Sequence, residues 1–348
     1  RFRGLDGLRG ICALAVLLFH ARLLVGPRFF AHGYLSVDVF FVISGFVLTG
    51  AYGARLTRGL SAKAFLYQRI RRLGPVLWLG IGLSTLALAA TLAWNGQGLA
   101  RADLPALALL VLQNILLVPH MGAGAGDAFP LAGISWSLFA ELIVNLGFAL
   151  FAVRLGKRAL AVLTGGGFAV FAALALQHGS PDLGASSSMI LLSVPRALPS
   201  FAAGILLYRL YQEGLLDRLV RVPPVLLLLV WLGVAAAPAV SPLFDLAVIA
   251  ILSPLTVALL VNADAATPAW AVWLGAISYP LYATHTALVN FAVHTHLFAA
   301  PGLLLLPLLL LACLALAEAV RRWFEPAAAR AWPSAHGAAL AAMVQPVP

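Results

Sequence analysis

GLDGLRGICALAVLLFHARLLVGPRFFAHGYLSVDVFFVISGF, residues 4–46, decides the reading of this chain: two apolar runs joined by a short loop that contains Gly26 and Pro27. The first run carries Arg9 and His20, eleven residues apart. At roughly 100° and 1.5 Å per residue, that spacing places both side chains on one helix face, separated by about 16 Å of rise. If the two runs pair as an antiparallel hairpin turning near Phe29, His20 lies level with Asp38, since each is nine residues from the turn. Ionisable groups at such depth are costly in hydrocarbon, so they face a protein interior or a wet cavity and mark a functional site.

The rest of the composition puts that hairpin in a membrane. Of 348 residues, 62% are hydrophobic and 10% are charged, with a mean hydropathy of +1.00. A water-soluble domain cannot hide that much apolar surface, so the fold class expected is an all-α polytopic membrane protein. The net charge of +10 comes almost entirely from Arg lying between apolar runs. Placed there, basic residues act as topology signals facing the cytoplasm and anionic membrane lipids; they do not form a nucleic-acid patch. Cys12 and Cys313 lie within apolar runs, with neither CxxC nor histidine-partner spacing, so no disulfide framework or metal site is expected. The first run is followed by no small-residue cleavage site and is read as a retained span.

Ten runs are long enough to cross: 11–26, 34–52, 74–94, 134–153, 159–177, 189–208, 223–240, 243–261, 270–293 and 302–320. The shorter run at 104–119, bracketed by prolines, reads as re-entrant or interfacial. With ten spans and both termini cytoplasmic, 18 of the 22 basic residues fall on the inside; a crossing at 104–119 would move the clusters at 154–158 and 209–221 outside. Residues 1–325 are then one transmembrane domain, and the Ala/Pro-rich 326–348 is a disordered cytoplasmic tail.

On this topology the intramembrane ionisable residues form a layer. His20, Asp38, Glu141 and Arg196 sit about 7–10 Å below the outer edge, with His285 also in the outer half, while Arg9, Arg69, Arg71 and Arg72 mark the inner surface. Arginines at an inner mouth suit a phosphorylated cytoplasmic donor, because guanidinium binds phosphate in bidentate fashion. A neutral histidine held by a carboxylate suits removal of a proton from a hydroxyl. Acyl-coenzyme A fits both ends: nucleotide phosphates on the arginines, pantetheine along the first helix, thioester near His20. One continuous cavity from Arg9 to His20 is the structural expectation.

Arg9-x10-His20, GYLSVDVFFVISGF (33–46), RIRRLGPVLW (69–78), ISWSLFAEL (134–142), PSFAAGILLYR (199–209) and LGAISYPLYATH (274–285) occur in that order. Together they resemble the acyltransferase 3 family of integral membrane O-acyltransferases, over nearly the whole chain. The resemblance implies about ten spans and a place in the bacterial cytoplasmic membrane. It also implies transfer of acetyl or another short acyl group from acyl-coenzyme A to a hydroxyl of a surface polysaccharide, glycolipid or secondary metabolite. By the same resemblance His20 is catalytic, Arg9 contacts the donor, Asp38 and Glu141 match further family acids, and Arg69 and Arg72 match the inner basic motif. Trp136, Arg196 and His285 are the candidate residues for the acceptor.

Two departures limit the match. The family pattern W-S-L-S-V-E-E-Q-F-Y is met at Trp136, Ser137, Leu138 and Glu141, but Leu142 replaces the second acid, so no role needing adjacent carboxylates is expected. Some members append a soluble hydrolase-like domain, for which this chain has no room. Each residue also has a plainer reading: Arg9 as a snorkelling anchor, His20 and Asp38 as a structural pair, Glu141 as a partner of Arg196. The competing function is a proton-coupled transporter of an acyl donor or lipid-linked substrate, against which stands the lack of an internal repeat.

Overall fold

A computed structural model describes residues 2–96, 104–121, 126–238, 241–295 and 302–332, and these are helical almost throughout. Helix α1 is Arg3–Val25 and α2 is Ser36–Thr57, entered through a 3-10 turn at Gly33–Leu35. The 33-residue α3, Ala62–Trp94, starts on the Ser61 hydroxyl, which accepts the Ala64 amide. At 1.5 Å per residue it is about 50 Å long, well beyond a bilayer core. Then follow α4 (Leu104–Ile115), α5 (Ser135–Leu150), α6 (Lys157–His178), α7 (Ser193–Gln212) and α8 (Pro224–Ala236). Helix α9 (Pro242–Ala247) runs through a π turn into α10 (Ser253–Leu260), and α11 (Ala269–Ala276) is followed at once by α12 (Ser278–His294). Last come α13 (Gly302–Ala319), a second π turn, and α14 (Glu325–Ala331).

Six of these segments are long and apolar enough to cross a membrane: 3–25, 33–57, 62–94, 157–178, 190–212 and 242–260. Of the other expected spans, 302–320 carries the 18-residue α13, and the rest carry helix in shorter or broken form. Helix α5 has 16 residues and α8 has 13. The run at 270–293 is interrupted at Ile277, whose ψ is 0°. Pro280 accounts for the interruption, because it has no N–H and its ring clashes with the carbonyl four residues back. The 104–119 run forms only the twelve-residue α4, followed by a turn in which Leu117 takes a positive φ of 52°. At the other end, order extends past the expected boundary at 325. Helix α14 continues to Ala331, and the Trp332 ring stacks on Trp78 with centroids 5.8 Å apart. The remaining tail, 333–348, lies outside the described residues.

Small residues set how closely the central helices approach. At the crossing of α2 and α7, a Cβ on Gly204 would stand 2.0 Å from the Val42 carbonyl oxygen, and one on Gly45 would stand 2.1 Å from that of Phe201. Helices α1 and α11 meet in the same way: a Cβ on Gly275 would lie 2.1 Å from the Asp6 oxygen, and one on Gly10 would lie 2.6 Å from the Gly275 nitrogen. Lipid tails are as apolar as leucine, so close packing of this kind holds helices together in hydrocarbon where burial alone cannot. Helices α3 and α12 also pack together, and α1 touches α12. The peripheral α6 buries only Leu160, Phe171 and Ala175. Between the central pairs a cavity is left, and it positions the site.

Candidate active site

The cavity encloses about 790 Å³ between α1, α2, α3, α5 and the α11–α12 break, within the roughly 300–1,000 Å³ of small-molecule sites. Helix α2 lines it with Val37, Phe40, Phe41, Ser44, Val47 and Leu48. That i, i+3, i+4, i+7 stripe is one helix face, and it extends along α2 for about 16 Å.

One end is charged. Arg9, Arg69, Arg72, Asp6, Glu141 and Glu325 all line it. Arg69 is buried and donates to Glu141 Oε1 at 2.7 Å; the Ser44 hydroxyl donates to the same oxygen at 2.7 Å. The Arg69 Nε–H, also buried, has no acceptor among the described residues. Arg9 is 3.9 Å from Asp6 and experiences the like charges of Arg72 and Arg69. Arg72 is exposed at the mouth. Arg9, Arg69 and Arg72, expected together at an inner mouth, line one cavity. Glu141 is a correction: counted from the end of its run it belonged to the far layer, yet it pairs with Arg69. Depth counted from the ends of an apolar run ignores helix tilt and the reach of a long guanidinium side chain.

The other end is closed by rings. Phe40 and Tyr282 meet edge to face at 5.6 Å, and the Tyr282 hydroxyl hydrogen-bonds Ser137 at 2.7 Å. Behind Tyr282 stands His285, ring centroids 6.2 Å apart, and beyond it His20, 5.1 Å from His285. His20 is not on the cavity wall, so the single continuous cavity expected from Arg9 to His20 stops short of His20. His20 is partly exposed, lies against Phe19 and His285, and has no hydrogen-bond partner among the described residues. His285 is fully buried; its Nδ1–H donates to the Leu281 carbonyl at 2.9 Å and its Nε2 is unpartnered among the described residues.

Asp38 does not face His20. Its carboxylate belongs to Arg196, which donates from one terminal nitrogen at 3.0 Å and from Nε at 3.3 Å. Equal distance from the hairpin turn fixes equal depth but not azimuth, and the 100° step per residue turns Asp38 towards α7 while His20 turns towards α12. The remaining Arg196 donors reach Asp182 Oδ1 (3.1 Å), the Leu183 carbonyl (3.1 Å) and the Tyr34 carbonyl (3.2 Å). All five guanidinium N–H groups are therefore used. The guanidinium also lies over the Trp136 ring at 5.0 Å. Both residues were expected at the acceptor, but in this arrangement Arg196 has no donor to spare and Trp136 packs beneath it. The pair instead ties α7 to α2, α5 and the 182–183 loop.

Sequence reasoning missed Ser44 and gave Ser137 and Tyr282, though both lie in the quoted motifs, no role at the site. The cavity stripe on α2 was legible as a periodicity, with Ser44 as its one hydroxyl, whereas Asp38 drew attention from another face. It also missed a buried cluster at the far end, where Asp245 takes the Tyr34 hydroxyl at 2.6 Å and sits 2.6 Å from His32 Nδ1. His32 and Asp245 are 213 positions apart, too far for any local pattern to join them.

The described residues thus form a helical protein with six segments long and apolar enough to cross a membrane, whose cavity is charged at one end and has two imidazoles behind the other. The family model for an acyltransferase domain matches residues 2–321, and the chain belongs to that family, acyltransferase 3; it is an acyltransferase. It is 36% identical over 162 residues to protein 2 in the picA locus of Rhizobium radiobacter, covering 44% of this chain and 84% of that protein. It is also 36% identical over 147 residues to BcsY of Komagataeibacter xylinus, a candidate membrane-bound transacylase by name, covering 41% of this chain and 35% of that one. The exopolysaccharide production protein ExoZ of Rhizobium meliloti is 29% identical over 214 residues, covering 60% of this chain and 58% of that one. The chain thus spans little more than half of ExoZ and about a third of BcsY. No solved structure matches it.

Proposed function

We propose that this acyltransferase is a ten-span protein of the bacterial cytoplasmic membrane, with both termini on the cytoplasmic side, that moves an acetyl or other short acyl group from acyl-coenzyme A to a carbohydrate hydroxyl. The observation that carries the reading is the polarity of the cavity. Arg9 and Arg72 stand at its mouth, Arg69 offers a buried N–H with no acceptor among the described residues, and the ring end leads to His285 and His20. The Arg9 end is cytoplasmic by the positive-inside bias. Donor phosphates bind Arg9 and Arg72, with Glu141 holding Arg69 in place. The acyl arm lies along the α2 stripe, and rotation of Tyr282 admits the thioester to His20.

His20, reached by the acceptor from the opposite side, takes the hydroxyl proton as the oxygen attacks the thioester carbonyl. The carbon–sulfur bond then breaks, and the thiolate leaves with that proton as free coenzyme A thiol. The name of ExoZ supports a polysaccharide acceptor. The test is acceptor-dependent thiol release from acetyl-coenzyme A by the purified protein, offered a panel of polysaccharide repeat units. Release with label incorporated into one glycan is the expected result. Solute flux across liposomes with no covalent product would replace this reading with the transporter.

A further inference from the structure

His285 is held in one tautomer. A backbone carbonyl only accepts, so the 2.9 Å contact to Leu281 requires the proton on Nδ1. In the neutral ring Nε2 is then a bare acceptor, fully buried and without a partner among the described residues. A buried polar atom left unpaired needs an explanation. The neighbouring ring is His20, at a centroid separation of 5.1 Å and an interplanar angle of 60°. That separation brings the two ring edges within reach of an N–H···N hydrogen bond of about 2.9 Å once the His20 side chain turns. Asp38 makes no hydrogen bond to His20 among the described residues; its carboxylate is turned to Arg196.

We infer that His285 is the positioning residue for His20, its Nε2 accepting a hydrogen bond from the second ring N–H of His20. This rests on the reading of His20 as the base. When one His20 nitrogen takes the acceptor's hydroxyl proton, the other N–H of the imidazolium is directed at His285. His285 keeps its own proton on Nδ1 throughout and exchanges none. It fills with a neutral acceptor the role that a carboxylate fills beside the histidine of a serine hydrolase, fixing tautomer and orientation and favouring the charged ring as it forms. A neutral partner suits a ring in hydrocarbon, where a buried carboxylate would carry a large desolvation cost.

Two isosteric variants separate this role from simple packing. Asn at 285 keeps an amide at the Nδ1 position, for the Leu281 carbonyl, but does not reach His20; Gln places a carbonyl oxygen where Nε2 was. Steady-state acyl transfer is measured for purified H285N and H285Q, with elution and thermal profiles as the check on folding and His20→Ala alongside. The expected result is H285Q within about fivefold of the wild-type kcat and H285N down about 100-fold, at the low end of acid–base contributions, with the KM for acetyl-coenzyme A unchanged in both. A wild-type kcat in H285N overturns the inference, and so does an equal fall in two well-folded variants. If His20→Ala retains activity, the base reading fails and the role of His285 falls with it. If His20→Ala is inactive while H285N is at full rate, only the present inference fails.

Discussion

Asp38→Asn separates two roles for the same acid. If Asp38 oriented His20, its loss would resemble the loss of the aspartate in a serine-hydrolase triad, where kcat falls about 10⁴-fold while the fold stays intact. The structure assigns it to Arg196 instead, both side chains being fully buried and 3.0 Å apart. Two unit charges at that distance interact by about 5 kcal/mol at an effective dielectric constant of about 20. Breaking a buried pair by removing one partner costs about 3–5 kcal/mol. Asp182 remains as a second carboxylate on Arg196, itself one-third exposed. The expected cost is therefore at the low end, about 3 kcal/mol, or roughly two decades in the folding equilibrium. The assay is thermal unfolding in detergent, followed by tryptophan fluorescence, with kcat measured per folded molecule well below the transition. A lowered midpoint with kcat within about tenfold of wild type is expected. An unchanged midpoint with a thousandfold loss of kcat would refute the reasoning.

Three other substitutions test separate parts of the account. Arg9→Ala should weaken coenzyme A binding about 10- to 100-fold, the scale of one charge-assisted hydrogen bond, whereas exposed Arg72→Ala should cost less and lose its effect at high salt; titration calorimetry of both variants at two ionic strengths checks this. Gly204→Ala puts a methyl group 2.0 Å from the Val42 carbonyl. It should force α2 and α7 apart at a cost of about 3 kcal/mol, visible as a fall in folded yield. Gly147→Ala, with nothing within 4 Å of its Cβ, should leave yield unchanged or raise it.

Apolar runs and turns were legible because hydropathy and loop residues act locally. The hairpin turn fell where the count from His20 and Asp38 placed it, between Val25 and Gly33. Arg9, Arg69 and Arg72 line one cavity, an arrangement that fits the sorting of basic residues to one membrane side. Facing was not legible. Asp38 and His20 share a depth and diverge in azimuth, and the difference is decided by α7 and α12, whose positions no local period encodes. Glu141 was misplaced in depth for a related reason: α5 is short and does not share the frame of the longer α3. The role of Arg196 depends on five hydrogen bonds to acceptors on two separate stretches, 34–38 and 182–183, a convergence available only once the chain is folded.

The central claim is that the donor binds at the Arg9 end while acyl transfer takes place at His20. Purified His20→Ala, assayed for single-turnover transfer from acetyl-coenzyme A and for coenzyme A affinity on the same preparation, tests it most directly. The account predicts transfer at the background rate with affinity within about threefold of wild type, because general-base removal costs about 10²–10⁴ in rate and His20 lies off the cavity wall. Transfer at the wild-type rate, or affinity lost together with activity in a folded protein, would contradict it.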